Sequence, residues 1–187
     1  MTALIILGIV AVLVAWAIVQ YNGLVTLRNQ VANGWKQIDV QLRRRHDLIP
    51  NLVSTVKGVM EFEQDTLQKV IEARSAAMGA RGAKDAAAKE SALSDALSKF
   101  FVVVEQYPQL RSSENVSQLQ EELTSTENKI TFARQFYNDI ATKFNTAQQV
   151  FPANMIAGSF GFQPAELFEI TVAAEREVPR VDLSLKK

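Results

Sequence analysis

The first apolar stretch of the chain is continuous. Residues Thr2–Val19, TALIILGIVAVLVAWAIV, carry no charge. As a helix, eighteen residues span about 27 Å, close to the ~30 Å hydrocarbon core of a bilayer. Trp16 and Tyr21 stand toward its C-terminal end, where interfacial aromatic residues collect. A cleaved signal peptide carries a basic n-region, a shorter apolar core and a small-residue cleavage site. The pattern therefore predicts a retained transmembrane helix.

Beyond the anchor the apolar residues recur every three or four positions, and no run alternates as a strand would. Four segments follow. The first continues from the anchor through Leu24, Val31, Trp35, Ile38 and Leu42. The second runs from about Asn51 to Met78, with Leu52, Val56, Leu67, Val70 and Ala77. The third runs from about Ala83 to Tyr107, with Leu93, Leu97, Phe100, Val104 and Tyr107. The fourth is the most regular: Val116, Leu119, Leu123, Thr126, Ile130, Ala133, Tyr137, Ile140, Phe144, Ala147 and Phe151. Such seams belong to helices packed in bundle or coiled-coil style.

The breaks follow from local chemistry. Gly79 and Gly82 mark a turn. Pro108 ends the third segment, because the residue before a proline is steered away from helix. Asn115 with Gln118 resembles a capping-box start, and Phe151-Pro152 ends the fourth segment. At Pro50 two readings compete. The heptad phase runs through it from Leu42 to Val56, which favours a kinked continuous helix. Matched segment lengths favour a turn at Asp47–Pro50, and this is the reading adopted. The fold expected is all-α: an N-terminal single transmembrane helix, then an antiparallel up-and-down four-helix bundle with a short C-terminal helix and tail. The divisions are residues 1–20 for the anchor, 21–151 for the bundle and 152–187 for a C-terminal aromatic segment and tail. A short helix over Ala165–Ala174 and an extended end, PRVDLSLKK, are expected there.

Composition narrows the chemistry. Twenty Lys and Arg balance twenty Asp and Glu, without the basic excess of a nucleic-acid-binding domain. Cys is absent and His occurs once, so disulfides, thiolate chemistry, zinc–cysteine sites and multi-histidine metal motifs are excluded. No serine has a triad in prospect and no glycine-rich phosphate loop occurs. The expectation is no enzyme, no cofactor, no metal and no identified small-molecule substrate. The partners expected are the bilayer, through residues 2–19, and either further copies of the chain or another membrane protein.

Arg28 and Lys36, followed by Arg43, Arg44 and Arg45, place positive charge after the anchor. The positive-inside rule then puts the bundle in the cytoplasm and the N-terminus outside. Arg43, Arg44 and Arg45 form a candidate basic partner surface, although three consecutive helical residues spread over roughly 300° of circumference. The competing reading is a solvated turn with arginine–carboxylate pairs. Phe160, Phe162 and Phe168 are candidates either to cap the open end of the bundle or to form a sticky surface for a partner, another copy or the membrane interface. Asp39, Asp47, Asn51, Arg134, Tyr137 and Asn138 are candidate buried polar contacts that fix helix register.

Several blocks together resemble a known family: YNGLVTLRNQV, GWKQIDVQLRRRHDLIPNLVSTVKG, VEQYP, ARQFYNDIATKFNT and FPANMIAG, ending in VPRVDLS. In this order, over nearly the whole chain, they are similar to the LemA family. The resemblance implies a bacterial cytoplasmic-membrane protein with one N-terminal anchor, its N-terminus outside, and a helical bundle beyond. It implies no established reaction. Phe62 departs from the common pattern, which has a His there, and this puts a ligand role at that site in doubt. The function expected is a membrane-anchored scaffold acting by protein–protein contact or self-assembly. The alternatives are an adaptor or sensor for a membrane protease or other membrane enzyme, and a membrane-shaping polymer. A carboxylate-only metal enzyme is a more distant rival.

Overall fold

The computed structural model describes residues 1–59 and 63–169. Glu61, Phe62 and the tail from Ile170 onward, with the expected extended end and the VPRVDLS block, lie outside the described residues. Within them every regular element is a helix: α1 (Thr2–Val56), α2 (Gln64–Met78), α3 (Gly82–Val104), α4 (Pro108–Arg111), α5 (Glu114–Gln149) and α6 (Ala153–Ser159).

The largest correction is at Pro50. No turn forms at Asp47–Pro50; α1 runs 55 residues straight through the proline. The boundary expected at residues 20 and 21 falls inside the same helix. A helix-internal proline removes one N–H and strips the carbonyl four residues earlier of its partner, normally at about 3 kcal/mol. The carbonyl concerned is His46, and Nε of Arg74 on α2 donates to it at 2.7 Å. The chain breaks instead after Val56, so the four long helices are unequal, α2 having only 15 residues.

The other punctuation is close to expectation. α2 stops at Met78 and α3 starts at Gly82, whose φ of +80° lets the chain reverse without Cβ strain. α3 ends at Val104, and Pro108 opens α4 from its first position, where the missing N–H costs nothing. The cap residue of α5 is Ser113 rather than Asn115, and no side-chain cap bond forms there.

Three apolar clusters stack along the molecule. At the end far from the anchor, Ile49, Leu52 and Val56 of α1 meet Leu67 and Val70 of α2, Leu93, Leu97 and Phe100 of α3, and Val116 and Leu123 of α5. In the middle, Ile38 and Leu42 meet Ala83, Ala86 and Ala87 of α3 and Ile130, Tyr137 and Ala141 of α5. Nearest the anchor, Leu24 packs with Phe144 and with Ala157 of α6. In the middle cluster a small residue lets the backbones approach closely. A Cβ added to Gly34 would lie 3.5 Å from the Cα of Tyr137. The anchor itself touches little, and its apolar stretch is wholly uncovered by the rest of the chain.

Candidate functional site

The seam of α1 continues Ile38, Leu42, Arg45, Ile49, Leu52 and Val56, in steps of four and three, and all six are buried. One of these seam positions is an arginine. On α3 the seam reads Ala83, Ala86, Glu90, Leu93, Leu97, Phe100 and Val104, also buried throughout, and one position is a glutamate. The two charges meet. Arg45 Nη1 lies 3.2 Å from Glu90 Oε2, with both side chains about 95% enclosed (5% and 6% exposed). His46 Nε2 lies 2.6 Å from Glu90 Oε1. Arg45 Nη2 donates to Ser94 Oγ at 2.8 Å. On the α5 side, Arg45 Nη1 lies 2.9 Å from Glu127 Oε2. That oxygen is itself buried and lacks hydrogen-bond alignment, so this contact is a charge pairing.

Both oxygens of Glu90 are therefore engaged, by two successive residues of α1. Transfer of such charges out of water costs several kcal/mol per ion, which attraction must offset. A pair of this kind adds little net stability, but it penalises any slip that would leave one charge facing apolar neighbours. The cluster locks α1, α3 and α5 in register. Arg45 is thus not part of an exposed basic surface. Arg43 and Arg44 are exposed: Arg43 bonds Asp39 at 3.0 Å within α1, and Arg44 reaches Glu122 at 3.7 Å.

The expected register residues are distributed differently. Asp47 and Asn51 are exposed, and among the described residues Asp39 pairs only with its helix neighbour Arg43. Asp39, Arg43 and Asp47 come together with His46 along a shallow groove between α1 and the end of α2. Arg134 is half-buried, and no hydrogen bond or ion pair of it occurs among the described residues. Tyr137 and Asn138 do make polar contacts, but with the C-terminal segment rather than another helix.

That segment is a strap. After α6 the chain runs extended from Phe162 to Glu169, so the described part of the expected Ala165–Ala174 helix is not helical. Asn145 donates through Nδ2 to the carbonyl of Ala165 at 2.9 Å and accepts from its N–H at 2.8 Å. Asn138 treats Phe168 the same way, at 3.1 and 2.8 Å. The hydroxyl of Tyr137 donates to the carbonyl of Glu166 at 2.7 Å. The spacing has a simple origin. Seven helical residues rise about 10.5 Å and three extended residues about 10 Å, so Asn138 and Asn145 match Phe168 and Ala165. Burial and the nearby Glu166 carboxylate push the phenol of Tyr137 above its ordinary value.

The three candidate phenylalanines separate along this strap. Phe168 is buried, its ring centroid 6.2 Å from that of Trp35. Phe162 is half-buried against Phe144, with the Arg28 guanidinium 5.4 Å from its centroid. Phe160 stays 62% exposed, stacked on Tyr21 at 4.7 Å. Only Phe160 of the three offers a surface. Sequence reasoning missed another exposed apolar group, Val40 on α1 with Phe132 and Phe136 on α5, which are 60%, 73% and 49% exposed. All three lie off the heptad seams, and that was the available signal.

Comparison with known proteins gives a family and several relatives. The LemA family profile matches residues 34–183. A protein LemA from Metamycoplasma hominis is 26% identical, over 87% of this chain and 72% of its own length. Magnetosome protein MamQ 2 from Paramagnetospirillum magneticum is 22% identical, over 94% of this chain and 75% of its own. Magnetosome protein MamQ from Magnetospirillum gryphiswaldense is 22% identical over 95% and 75%.

Proposed function

This chain belongs to the LemA family, and from that premise we propose that it is a membrane-anchored helical scaffold that acts by contact between proteins, without catalysing a reaction. Residues 2–19 span the bacterial cytoplasmic membrane, and the basic residues from Arg28 onward hold the bundle on the cytoplasmic side. The bundle is an up-and-down arrangement of α1, α2, α3 and α5. The pairings of Leu24 with Phe144 and of Arg44 with Glu122 support α1 and α5 running antiparallel.

The observation that carries the proposal is the uncovered group of Val40, Phe132 and Phe136, edged by Lys36 and Lys129. A scaffold needs a sticky face on a rigid frame, and the Arg45–Glu90 lock supplies the rigidity. The occupant we assign to this face is a second copy of the chain. Anchors hold all copies in one plane and one orientation, so the same patch meets its counterpart at the same height, as a twofold contact requires. The mass of the solubilised full-length protein, by light scattering with detergent subtracted, tests this. A defined assembly is expected, and it should fall toward monomer in Phe132→Ser/Phe136→Ser with helix content unchanged. A monomeric wild-type protein would reject self-assembly and favour an adaptor for a membrane enzyme, whose partner crosslinking in membranes would capture. Large open assemblies that deform liposomes would favour a membrane-shaping polymer.

A further inference from the structure

Charges make up 21% of this sequence, yet residues 144–165, FNTAQQVFPANMIAGSFGFQPA, have none over twenty-two positions. Apart from the anchor run, no comparable stretch occurs in the chain. Beside the exposed polar residues Thr146, Gln149, Asn154, Ser159 and Gln163, it turns four large apolar side chains outward: Val150 at 52%, Phe151 at 80%, Met155 at 62% and Phe160 at 62%. A segment this long that is turned outward and uncharged is unusual for a surface facing water.

Its position explains it. Phe144 and Ala157 pack on Leu24, and the Phe160 ring stacks on Tyr21, two residues beyond the end of the apolar span. The segment is therefore held at the level where α1 leaves the span. The first charge on α1 is Arg28, and the charge that borders the uncharged segment on α5 is Lys143. Residues 2–27 of α1 extend about 39 Å as helix, against roughly 30 Å of hydrocarbon and 40–45 Å including the headgroup layers. On the proposed span the excess matches the headgroup layer, and the uncharged α6 region would sit at that depth, with the cationic Arg28 and Lys143 bordering it at phosphate level.

We propose that α6 and its flanks are a second lipid contact, in which Phe151, Met155 and Phe160 enter the interface of the leaflet from which α1 emerges. The contact would bury these side chains to the headgroup–acyl boundary, ~5–10 Å deep as interfacial helices do. It would tie the foot of the bundle to the bilayer surface. The inference rests on the reading of residues 2–19 as a membrane span.

The chain has no Cys, so single labels report without background. Full-length Met155→Cys, Phe160→Cys, Ser98→Cys and Val10→Cys proteins would each carry a nitroxide and be reconstituted in phosphatidylcholine–phosphatidylglycerol vesicles, position 98 being an exposed site on α3 away from both apolar groups. Accessibility to oxygen and to a nickel chelate is then measured for each. At positions 155 and 160 the oxygen-to-nickel ratio is expected to be several-fold above that at 98, approaching that at 10. Ratios at 155 and 160 equal to that at 98, with 10 in lipid, would overturn this proposal alone. Position 10 outside lipid would overturn the span and this contact together. Low access to both reagents at 155 and 160, with spin–spin broadening that unlabelled protein dilutes away, would assign the surface to a second copy instead. Met155 lies outside the Tyr21–Phe160 ring pair, so it remains informative if replacing Phe160 disturbs Tyr21.

Discussion

Arg74 Nε donates at 2.7 Å to the carbonyl oxygen of His46, the acceptor that Pro50 leaves without a helical N–H. One side chain on α2 thus completes the backbone of α1, and a proline is tolerated in mid-helix.

This contact makes a double-mutant prediction. Arg74→Met should cost about 1–3 kcal/mol, the range for a buried group left without its partner. In a Pro50→Ala background the restored N–H serves the same carbonyl, and the cost should shrink well below that. Denaturant unfolding of the full-length protein in micelles measures both. Equal costs in the two backgrounds would show that Arg74 acts through something other than the proline.

The Arg45–Glu90 pair predicts the opposite of additivity. Arg45→Met alone strands the buried Glu90 carboxylate, at about 3–5 kcal/mol. Glu90→Met leaves Arg45 paired with Glu127 at 2.9 Å and should cost less. The double change to Met at both positions should cost less than Arg45→Met alone, because no unpaired charge remains between these two seams. Costs that simply add would mean that Glu127 and His46, rather than the pair, dominate the cluster.

For the strap, Asn145→Ala should speed hydrogen exchange of the Ala165 amide, and Asn138→Ala that of the Phe168 amide. About tenfold is expected for each 1.4 kcal/mol of lost protection. Asp at either position should be worse than Ala, since its carboxylate faces a carbonyl oxygen where an amide donor stood. Uniform acceleration over the whole bundle would contradict a local clamp.

Tyr137 gives a pH dependence with a definite sign. Burial first, and then the Glu166 charge, raise its phenol above 10.0, so the folded state holds the proton more tightly than the unfolded chain. Its contribution is complete below pH 10 and is lost as pH rises through the folded value. The ionised oxygen can no longer donate to Glu166. Stability curves in mild alkali should therefore diverge, the wild type losing a contribution that Tyr137→Phe lacks throughout.

Much of this was legible in the sequence. The α5 seam predicts its burial well, from Val116 to Phe144. The uncharged run of Thr2–Val19 gives a helix that the chain leaves uncovered, and Gly79–Gly82 gives the turn. At Pro50 the matched segment lengths misled, and the heptad phase from Leu42 to Val56 was the better guide; the stripped carbonyl finds its partner in Arg74, twenty-four positions away from the proline. Arg45 misled because its neighbours Arg43 and Arg44 suggested a surface. Its place in the four-three phase between Leu42 and Ile49 was the better guide, as was that of Glu90 between Ala86 and Leu93. The strap was invisible to periodicity. Asn138 and Asn145 read as ordinary polar positions until an extended segment with the same repeat lies beside them.

On the proposed span of residues 2–19, a helix that passes from lipid into the bundle without a joint is also a lever. Transmembrane helices tilt, by about 20° on average, to fit the thickness of their bilayer. The 36 or so residues of α1 beyond the span reach about 54 Å, so each 10° of tilt displaces the far tip by roughly 9 Å. Because Arg74 keeps the helix whole at Pro50, that displacement arrives undiminished among Val56, Val70 and Phe100. On that span, the thickness of the membrane would be written into the lateral position of the bundle's distal end.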